Sequence, residues 1–254
     1  MSTLPPISRP SSAATVGGSA PISETFTSVQ GEGKLTGVPS WFVRFSGCNL
    51  RCSWCDTPYA SWNAESKQRS LGSLIDEASA AKAANVSHAV ITGGEPMMFA
   101  QAAELAHALK QIGMHITVET AGTIFREIDC DLMSISPKLS NSTPQTDDPR
   151  DKDAVWQVRH EARRINLEAL QKLIDSSPLH QFKFVISTEQ QLSEIETLLA
   201  LLRSWTPGDI LLMPEGVTVD ALAKRRWIVD ECIKRGWRYC PRLHIELFGN
   251  KRGT

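Results

Sequence analysis

The sequence predicts an α/β domain with a parallel sheet, because short apolar runs alternate with helical patterns over most of its length. Six core strands are expected, at residues 41–45, 88–92, 115–120, 132–136, 181–186 and 209–213. Helical periodicity is found at residues 71–84, 98–111, 161–174, 189–202 and 220–235. Strands that alternate with helices form parallel sheets with right-handed crossovers. An incomplete, open (β/α)6 barrel satisfies this count, and its active site would lie at the carboxyl ends of the strands.

Length and composition favour one folded domain after a leader. The 254 residues suit a single α/β domain, expected at residues 22–254, with an additional short strand at 24–29. Residues 1–21 are rich in Ser, Pro, Ala and Gly and lack an apolar signal-peptide core, so we expect a disordered leader. The first twenty residues contain Arg9 and no acidic residue, which leaves a transit peptide as the alternative.

The charge balance argues against two classes of partner. Lysine plus arginine is 27 and aspartate plus glutamate is 28, so the formal net charge is −1, without the basic field that nonspecific nucleic-acid binding needs. No apolar stretch approaches the roughly 18 residues that a transmembrane helix needs, so no membrane contact is expected. Six cysteines, three of them in one short motif, fit a reducing compartment and predict a cytoplasmic protein.

The most informative stretch is SGCNLRCSWCDTPY at residues 46–59, which follows the first core strand directly. It places Cys48, Cys52 and Cys55 at C-x3-C-x2-C spacing, and soft thiolates suit iron–sulfur chemistry. Three thiolates can hold three irons of a cubane cluster, and the fourth iron would then be open to a small ligand. Structural zinc is the alternative, but it usually takes four ligands at paired spacings. The asymmetric spacing favours the cluster.

This motif resembles that of the radical S-adenosylmethionine (SAM) superfamily. The wider stretch at 27–62, with TGGEP at 92–96, VETAG at 118–122, SISPK at 134–138 and HIELFGNKRG at 244–253, resembles the 7-carboxy-7-deazaguanine synthase family within it. The resemblance runs from about residue 24 to the last residues of the sequence. It implies an incomplete (β/α)6 barrel of the radical SAM type, with a [4Fe–4S] cluster, SAM and Mg²⁺ as cofactors.

The resemblance also implies which residues meet SAM. Gly94 would receive its amino group at the double glycine of TGGEP, and Glu119 would bond its ribose. A lysine after a strand is usually solvated, so SPK has this role only through the resemblance. The implied set is Trp54, Asp56, Gly94, Glu119, Ser136, Pro137, Lys138, Met213, Pro214, Glu215 and Gly216.

A second implied set binds a pterin substrate, with Arg44 gripping its carboxylate through a planar fork of donors. Read without the resemblance, QGEG is an ordinary hairpin turn, Arg44 forms a salt bridge, His244 is a core histidine and Asn250 is a turn residue. The implied substrate set is Val29, Gln30, Gly31, Arg44, Thr92, His244 and Asn250.

Magnesium, the reaction and the partners follow from the same resemblance. Thr57, otherwise a turn residue, would give one oxygen to Mg²⁺, which keeps waters and shares ligands with bound substrate. The implied reaction is a carbon–nitrogen lyase step of queuosine and deazapurine biosynthesis. It converts 6-carboxy-5,6,7,8-tetrahydropterin to 7-carboxy-7-deazaguanine with loss of ammonia. No side chain is assigned as a required acid or base. A one-electron reductant protein and a homodimer are implied partners.

Two other functions are weighed against this one. A different radical SAM enzyme, such as a glycyl-radical activase, would share the cysteine motif and GGEP but is not expected to carry QGEG and the GNKRG tail. A nonenzymatic metal or redox-sensing module would leave the glycine-rich strand ends unexplained. Residues 139–160 are expected to form a solvated loop or mobile flap without a role, and the basic residues at 224–226 a solvated helix face.

Overall fold

One nine-stranded sheet organises residues 17–254, the part of the chain that the computed structural model describes. Its spatial order is β3-β1-β2-β4-β5-β6-β7-β8-β9. The strands are β1 (Ser19–Val29), β2 (Pro39–Phe45), β3 (Lys67–Ser70), β4 (His88–Gly93), β5 (His115–Thr120), β6 (Leu132–Ile135), β7 (His180–Ile186), β8 (Ile210–Pro214) and β9 (Arg238–Tyr239).

The six expected core strands correspond to β2, β4, β5, β6, β7 and β8, which pair in parallel in that order. Strand β9 extends this run in parallel, whereas β1 pairs antiparallel with both β2 and β3. The sheet ends at β3 and β9 and does not close. The prediction of an open, incomplete α/β barrel is therefore confirmed. Strands β4, β7 and β8 are almost wholly buried, as expected for parallel strands covered on both faces.

Eight helices accompany the sheet within residues 17–254, and the longer ones bury one apolar stripe each against it. They are α1 (Leu71–Ala83), α2 (Ala100–Gln111), α3 (Trp156–Glu161), α4 (Leu167–Ser176), α5 (Gln190–Ala200), α6 (Val219–Ala223), α7 (Trp227–Arg235) and α8 (Leu243–Phe248). In α2 the buried side chains are Ala102, Leu105, Ala106 and Leu109, at the spacing of one helix face. Parallel strands with this outer layer leave their carboxyl ends free to build a site.

Two predicted helices are each divided in the structure. The helix expected at 161–174 begins only at Leu167, because the side chain of Asn166 accepts a hydrogen bond from the amide of Ala169 and caps a new start. The helix expected at 220–235 is interrupted at residues 224–226. There Arg225 forms a partly buried ion pair with Glu215 at 2.5 Å, so the prediction of a solvated face is wrong for this residue.

Strand β1 begins earlier than the sequence suggests. Ser19 pairs with Ser70 of β3, and Ala20 and Ile22 are buried, so residues 19–21 belong to the sheet rather than to a leader. The small and apolar residues that precede the predicted strand at 24–29 were too few to indicate that β1 begins at Ser19. Residues 1–16 of the expected leader lie outside the described residues.

The segment at 139–160 also differs from the expectation of a solvated flap. It contains a 3-10 turn at Ser140–Ser142 and runs into helix α3, with Ser142 and His160 fully buried. No helix within residues 17–254 is long and apolar enough to cross a membrane.

Candidate active site

A cavity of about 690 Å³ opens where the parallel strands end. Its wall is built from the loops that follow β2, β4, β5 and β6, from β7 and β8, and from the QGEG turn and the last residues of the chain. Loops at the carboxyl ends of parallel strands meet at one edge, so residues far apart in sequence converge here.

The three motif cysteines lie on the loop after β2, here called the cysteine loop (residues 46–62), and all three line the cavity as free thiols. The Leu50 amide donates to the Cys48 sulfur at 3.4 Å, and the Ser61 hydroxyl lies 3.2 Å from the Cys55 sulfur. Burial raises the pKa of the Cys48 thiol to about 12 and raises that of Cys52 as well. Bound iron would supply the positive charge that the buried thiolates lack. This donor set therefore fits a cluster.

A site for a single metal ion would need several ligand side chains around one point. Within residues 17–254, no group of three or more His, Cys, Asp and Glu side chains is arranged to hold one metal ion. A cubane cluster differs in this respect, because its thiolates bind separate irons. Thr57, the predicted magnesium ligand, lines the cavity with its hydroxyl 3.8 Å from the Cys55 sulfur.

The double glycine after β4 packs directly on the cysteine loop. The amide of Gly94 donates to the carbonyl of Phe45 at 3.0 Å, and the amide of Glu95 donates to the carbonyl of Gly47 at 2.9 Å. A Cβ atom at Gly94 would collide with the carbonyl oxygens of Gly47 and Ala60. Only glycine permits this approach, which fixes the cysteine loop against the end of β4.

Glu95, which the sequence analysis did not assign, links the ends of β4 and β5. Its fully buried carboxylate accepts hydrogen bonds from the Thr120 hydroxyl at 2.8 Å, the Ala121 amide at 2.8 Å and the Met97 amide at 3.1 Å. Burial raises its pKa. An acidic residue between a glycine and a proline at a strand end was the available signal for this role.

Residues of the predicted SAM set line a second wall. The Lys138 ammonium donates to the Ser136 hydroxyl at 2.7 Å and lies 5.7 Å from the centre of the Trp54 ring. Trp54 packs on Val185 and Met213, and its buried indole N–H has no hydrogen-bond partner among residues 17–254. An unpaired buried donor on a cavity wall is a place where a polar ligand gains affinity.

Three residues of the predicted substrate and SAM sets are bonded to one another. Glu119 accepts from the Gln30 side chain at 3.2 Å and from the Thr92 hydroxyl at 2.9 Å, one on each oxygen. The structure thus groups Glu119 with Gln30 and Thr92. Each carboxylate oxygen can accept two hydrogen bonds, so Glu119 keeps acceptor capacity for a further donor such as a ribose hydroxyl.

Arg44 also lines the cavity, and its register partner on the neighbouring strand β4 is Thr92. Its Nε donates to Glu24 at 2.7 Å, and the Tyr59 hydroxyl donates to the same carboxylate oxygen at 2.9 Å. The expected alternative of a salt bridge is thus present, but it uses one edge of the guanidinium. Within residues 17–254, the terminal nitrogens of Arg44 have no hydrogen-bond acceptor, and the side chain lines the cavity.

A buried ionic cluster that the sequence analysis missed lies behind the QGEG turn. Glu32 pairs with Lys183 and, at 3.2 Å, with Arg242, which also pairs with Asp56 of the cysteine loop. Burial alone would raise the pKa of Glu32, but the charges of Lys183 and Arg242 outweigh it and hold this pKa well below its usual value. The partners are 151 and 210 positions away in sequence, so no local pattern announces them.

His244 completes this wall, and Gly31 makes room for it. A Cβ atom at Gly31 would overlap the His244 ring, whose Nε2 lies 3.9 Å from Glu32. Burial lowers the pKa of His244, which favours the neutral imidazole. Asn250 lies in the tail that closes the same side of the cavity.

The cavity therefore brings together most of the residues predicted from sequence. Three of them do not line it: Pro137, Pro214 and Gly216, of which Gly216 instead accepts a hydrogen bond from Arg242 through its carbonyl. The predicted residues that line it are Val29, Gln30, Gly31, Arg44, Cys48, Cys52, Trp54, Cys55, Asp56, Thr57, Thr92, Gly94, Glu119, Ser136, Lys138, Met213, Glu215, His244 and Asn250.

Comparison with known proteins agrees with this geometry. The model of the radical SAM superfamily matches residues 42–202. A 7-carboxy-7-deazaguanine synthase from Rhodopirellula baltica is 43% identical over 92% of this chain and 88% of its own. One from Halobacterium salinarum is 43% identical over 94% of each chain. The crystal structure of QueE from Escherichia coli superposes with a TM-score of 0.65 at 26% identity, covering 89% of this chain and 95% of that one. The chain belongs to the radical SAM superfamily and, within it, to the 7-carboxy-7-deazaguanine synthase family of enzymes.

Proposed function

We propose that this enzyme converts 6-carboxy-5,6,7,8-tetrahydropterin to 7-carboxy-7-deazaguanine with loss of ammonia, as a step of queuosine or deazapurine biosynthesis. The observation that carries the proposal is that three free thiols and the open edge of the Arg44 guanidinium line one cavity. Cluster chemistry and carboxylate recognition would then act on the same bound molecule.

Cys48, Cys52 and Cys55 would hold the [4Fe–4S] cluster, leaving one iron for the amino and carboxylate groups of SAM. When bound, this pair supplies a one-electron cleavage of SAM and a deoxyadenosyl radical that takes a hydrogen atom from the substrate. Gly94, Ser136 and Lys138 line the same cavity as the cysteines and would position SAM. The protein contributes orientation and exclusion of water rather than the radical step itself.

Arg44 would bind the substrate carboxylate. Because Glu24 takes only its Nε, the terminal nitrogens stay available as donors for two carboxylate oxygens. Glu24 also orients the guanidinium and balances part of its charge. A substrate carboxylate would therefore meet a preorganised partner.

The heterocycle would lie between the QGEG turn and the end of β5. A pterin presents an edge of N–H donors, and the carboxylates of Glu119 and Glu32 line the cavity where such donors need acceptors. Gln30, Thr92 and His244 add directed polar groups. We assign none of them as an acid or base for the radical step.

Mg²⁺ would bind through Thr57, with water and substrate supplying its other ligands. A sparse protein contribution is reasonable for this ion, which dehydrates reluctantly. We also propose a homodimer, a one-electron reductant protein as partner, and a cytoplasmic location. Sedimentation of the purified enzyme tests whether it is a homodimer.

An anaerobic assay tests the reaction. The protein is reconstituted with iron and sulfide, then given SAM, Mg²⁺, a reductant and the carboxy-tetrahydropterin, and the product is read by mass. Formation of 7-carboxy-7-deazaguanine supports both substrate and reaction. Deoxyadenosine without this product would contradict the substrate assignment, and intact SAM on a zinc-loaded protein would contradict the enzyme proposal as a whole.

A further inference from the structure

The segment at 139–161, here called the cover segment, is fastened to the cysteine loop by backbone hydrogen bonds. The amide of Ser53 donates to the carbonyl of Ser142 at 2.8 Å, and the Ser53 hydroxyl donates to the carbonyl of Asn141 at 3.2 Å. Ser53 directly follows Cys52 and stands two residues before Cys55, so these bonds hold the backbone between the second and third cysteines.

His160 provides the second attachment. Its fully buried ring accepts a hydrogen bond at Nδ1 from the amide of Arg51, at 3.1 Å, and its Nε2 lies 2.9 Å from the Ser142 hydroxyl. Arg51 directly precedes Cys52. A histidine more than a hundred residues away thus binds the backbone between the first two cysteines.

The donors and acceptors around this ring fix its protonation. A backbone amide can only donate, so Nδ1 of His160 must be an unprotonated acceptor and Nε2 must carry the proton. That proton faces the Ser142 hydroxyl, whose own hydrogen is donated to the carbonyl of Leu139 at 2.6 Å. Burial lowers the pKa of His160 to about 4, in agreement with a neutral ring. Both ring nitrogens of His160 and the Ser142 hydroxyl therefore have hydrogen-bond partners.

Two cation–π contacts close the edges of the cover. The guanidinium of Arg51 lies 4.3 Å from the centre of the Trp156 ring, and that of Arg150 lies 4.3 Å from the centre of the Trp62 ring. Arg150 also donates to the carbonyl of Ser53 at 2.8 Å. Each of the two segments thus contributes one arginine and one tryptophan to these contacts.

We propose that the cover segment protects the iron–sulfur cluster. We further propose that His160 is the positioning residue that holds the cysteine loop in the conformation in which its thiolates bind this cluster. The potential and lifetime of an iron–sulfur cluster depend on hydrogen bonding and solvent exposure around its ligands. By accepting a hydrogen bond from the Arg51 amide, His160 takes the place of water at this partly buried backbone of the cysteine loop. The inference rests on the proposed cluster at the three cysteines, but not on the identity of the substrate.

The variants separate the hydrogen bond from packing. His160→Ala removes the acceptor and leaves the Arg51 amide unpaired, whereas His160→Asn keeps an acceptor oxygen near the position of Nδ1. Arg150→Gln loosens the exposed side of the cover without altering the buried ring. His107→Asn is the matched control, because His107 is exposed on α2 and bonds only to Asp129 among residues 17–254.

The measurement is the rate at which the reconstituted cluster is lost in air or in a chelator, followed by its absorbance, with the spectrum of the reduced cluster as a second readout. Melting of each cluster-free variant shows whether it is folded. We expect the cluster in His160→Ala to be lost about tenfold faster, the lower end of the effect of removing groups that orient metal ligands. His160→Asn should restore most of the lifetime, Arg150→Gln should shorten it severalfold, and His107→Asn should not change it.

A folded His160→Ala variant with the lifetime of the wild type would overturn the proposal. So would an Asn variant no better than Ala, since packing and not the hydrogen bond would then matter. If His160→Ala does not fold, Arg150→Gln decides, and an unchanged lifetime in that variant contradicts a protective cover. A reconstituted wild type that holds its cluster but forms no deazaguanine product would instead overturn only the substrate proposal.

Discussion

Glu24 and Arg44 face each other across the antiparallel strands β1 and β2, with Oε1 of Glu24 accepting from Nε of Arg44 at 2.7 Å. Both side chains are largely buried, so the pair holds the guanidinium in one orientation. Because the salt bridge uses only Nε, the terminal nitrogens of Arg44 can still bind a ligand at the cavity wall.

Replacing Arg44 tests whether this group binds substrate. Arg44→Lys keeps the charge but loses the fork of donors, so we expect KM for the carboxy-tetrahydropterin to rise about tenfold, as hydrogen bonds to charged groups contribute about 1.5–3 kcal/mol. The iron content should not change. Arg69→Lys, whose partner Glu77 lies outside the cavity, is the control. An unchanged KM in Arg44→Lys would remove Arg44 from the substrate site.

Glu32 tests the buried ionic cluster. Glu32→Gln leaves Lys183 without its counter-ion, and breaking a buried pair costs about 3–5 kcal/mol of the free energy of unfolding. Urea unfolding of the cluster-free protein measures this change. Glu168→Gln removes an exposed helix pair with Lys172 and should leave the free energy of unfolding almost unchanged. Equal effects of the two substitutions would mean that the buried ionic cluster of Glu32 stabilises the fold no more than an exposed ion pair does.

Gly94 tests the contact between β4 and the cysteine loop. Gly94→Ala would force the loop away from the strand end, so we expect reconstituted iron to fall well below that of the wild type, with about 1–3 kcal/mol of strain. Gly72→Ala is the matched control, because a Cβ atom at this helical glycine meets no other atom within 4 Å. Full iron content in a folded Gly94→Ala variant would contradict the packing account.

His88 predicts a pH dependence at the other end of the sheet. Its ring bonds to the Ser40 hydroxyl at 2.7 Å and to the Thr117 hydroxyl at 2.8 Å, and burial lowers its pKa to about 4 from a usual 6.5. Between these values the unfolded chain binds a proton that the folded chain does not, so the free energy of unfolding falls as the pH falls through this window.

The size of this effect can be measured by substitution. Wild type should lose about 2–3 kcal/mol more than His88→Gln between pH 7 and pH 4. Urea unfolding of the cluster-free proteins at several pH values measures the difference, and His107→Gln, at an exposed helix position, should behave as wild type does. Parallel pH curves for wild type and His88→Gln would show that His88 does not remain neutral in the fold.

The sequence predicted those parts of the site whose residues lie close to one another along the chain. The three cysteines and the double glycine of TGGEP lie within short motifs at strand ends, where chain order and chemistry coincide. Glu32, Lys183 and Arg242 could not be paired in advance, because only the curvature of the sheet brings them together. The contact of His160 could not be predicted for the same reason, since its partner Arg51 is 109 positions away.

The predicted helix limits were wrong where the contacts of single side chains, and not the apolar periodicity, decide where a helix begins or ends. Asn166 starts a new helix inside a continuous apolar pattern, and Arg225 turns inward to Glu215 in the middle of another. Conversely, the strands β4 to β8 were found within about two residues of their observed limits, because buried parallel strands are unbroken apolar runs.

Comparing two cysteine variants tests the central claim most directly. Cys52 lies in the cluster motif, whereas Cys232 is a buried residue of α7, outside the cavity. Each alanine variant is reconstituted and assayed anaerobically for 7-carboxy-7-deazaguanine by mass. We expect Cys52→Ala to bind no cluster and form no product, and Cys232→Ala to do both. Product from Cys52→Ala, or its absence from a wild-type enzyme that holds a full cluster, would contradict the account.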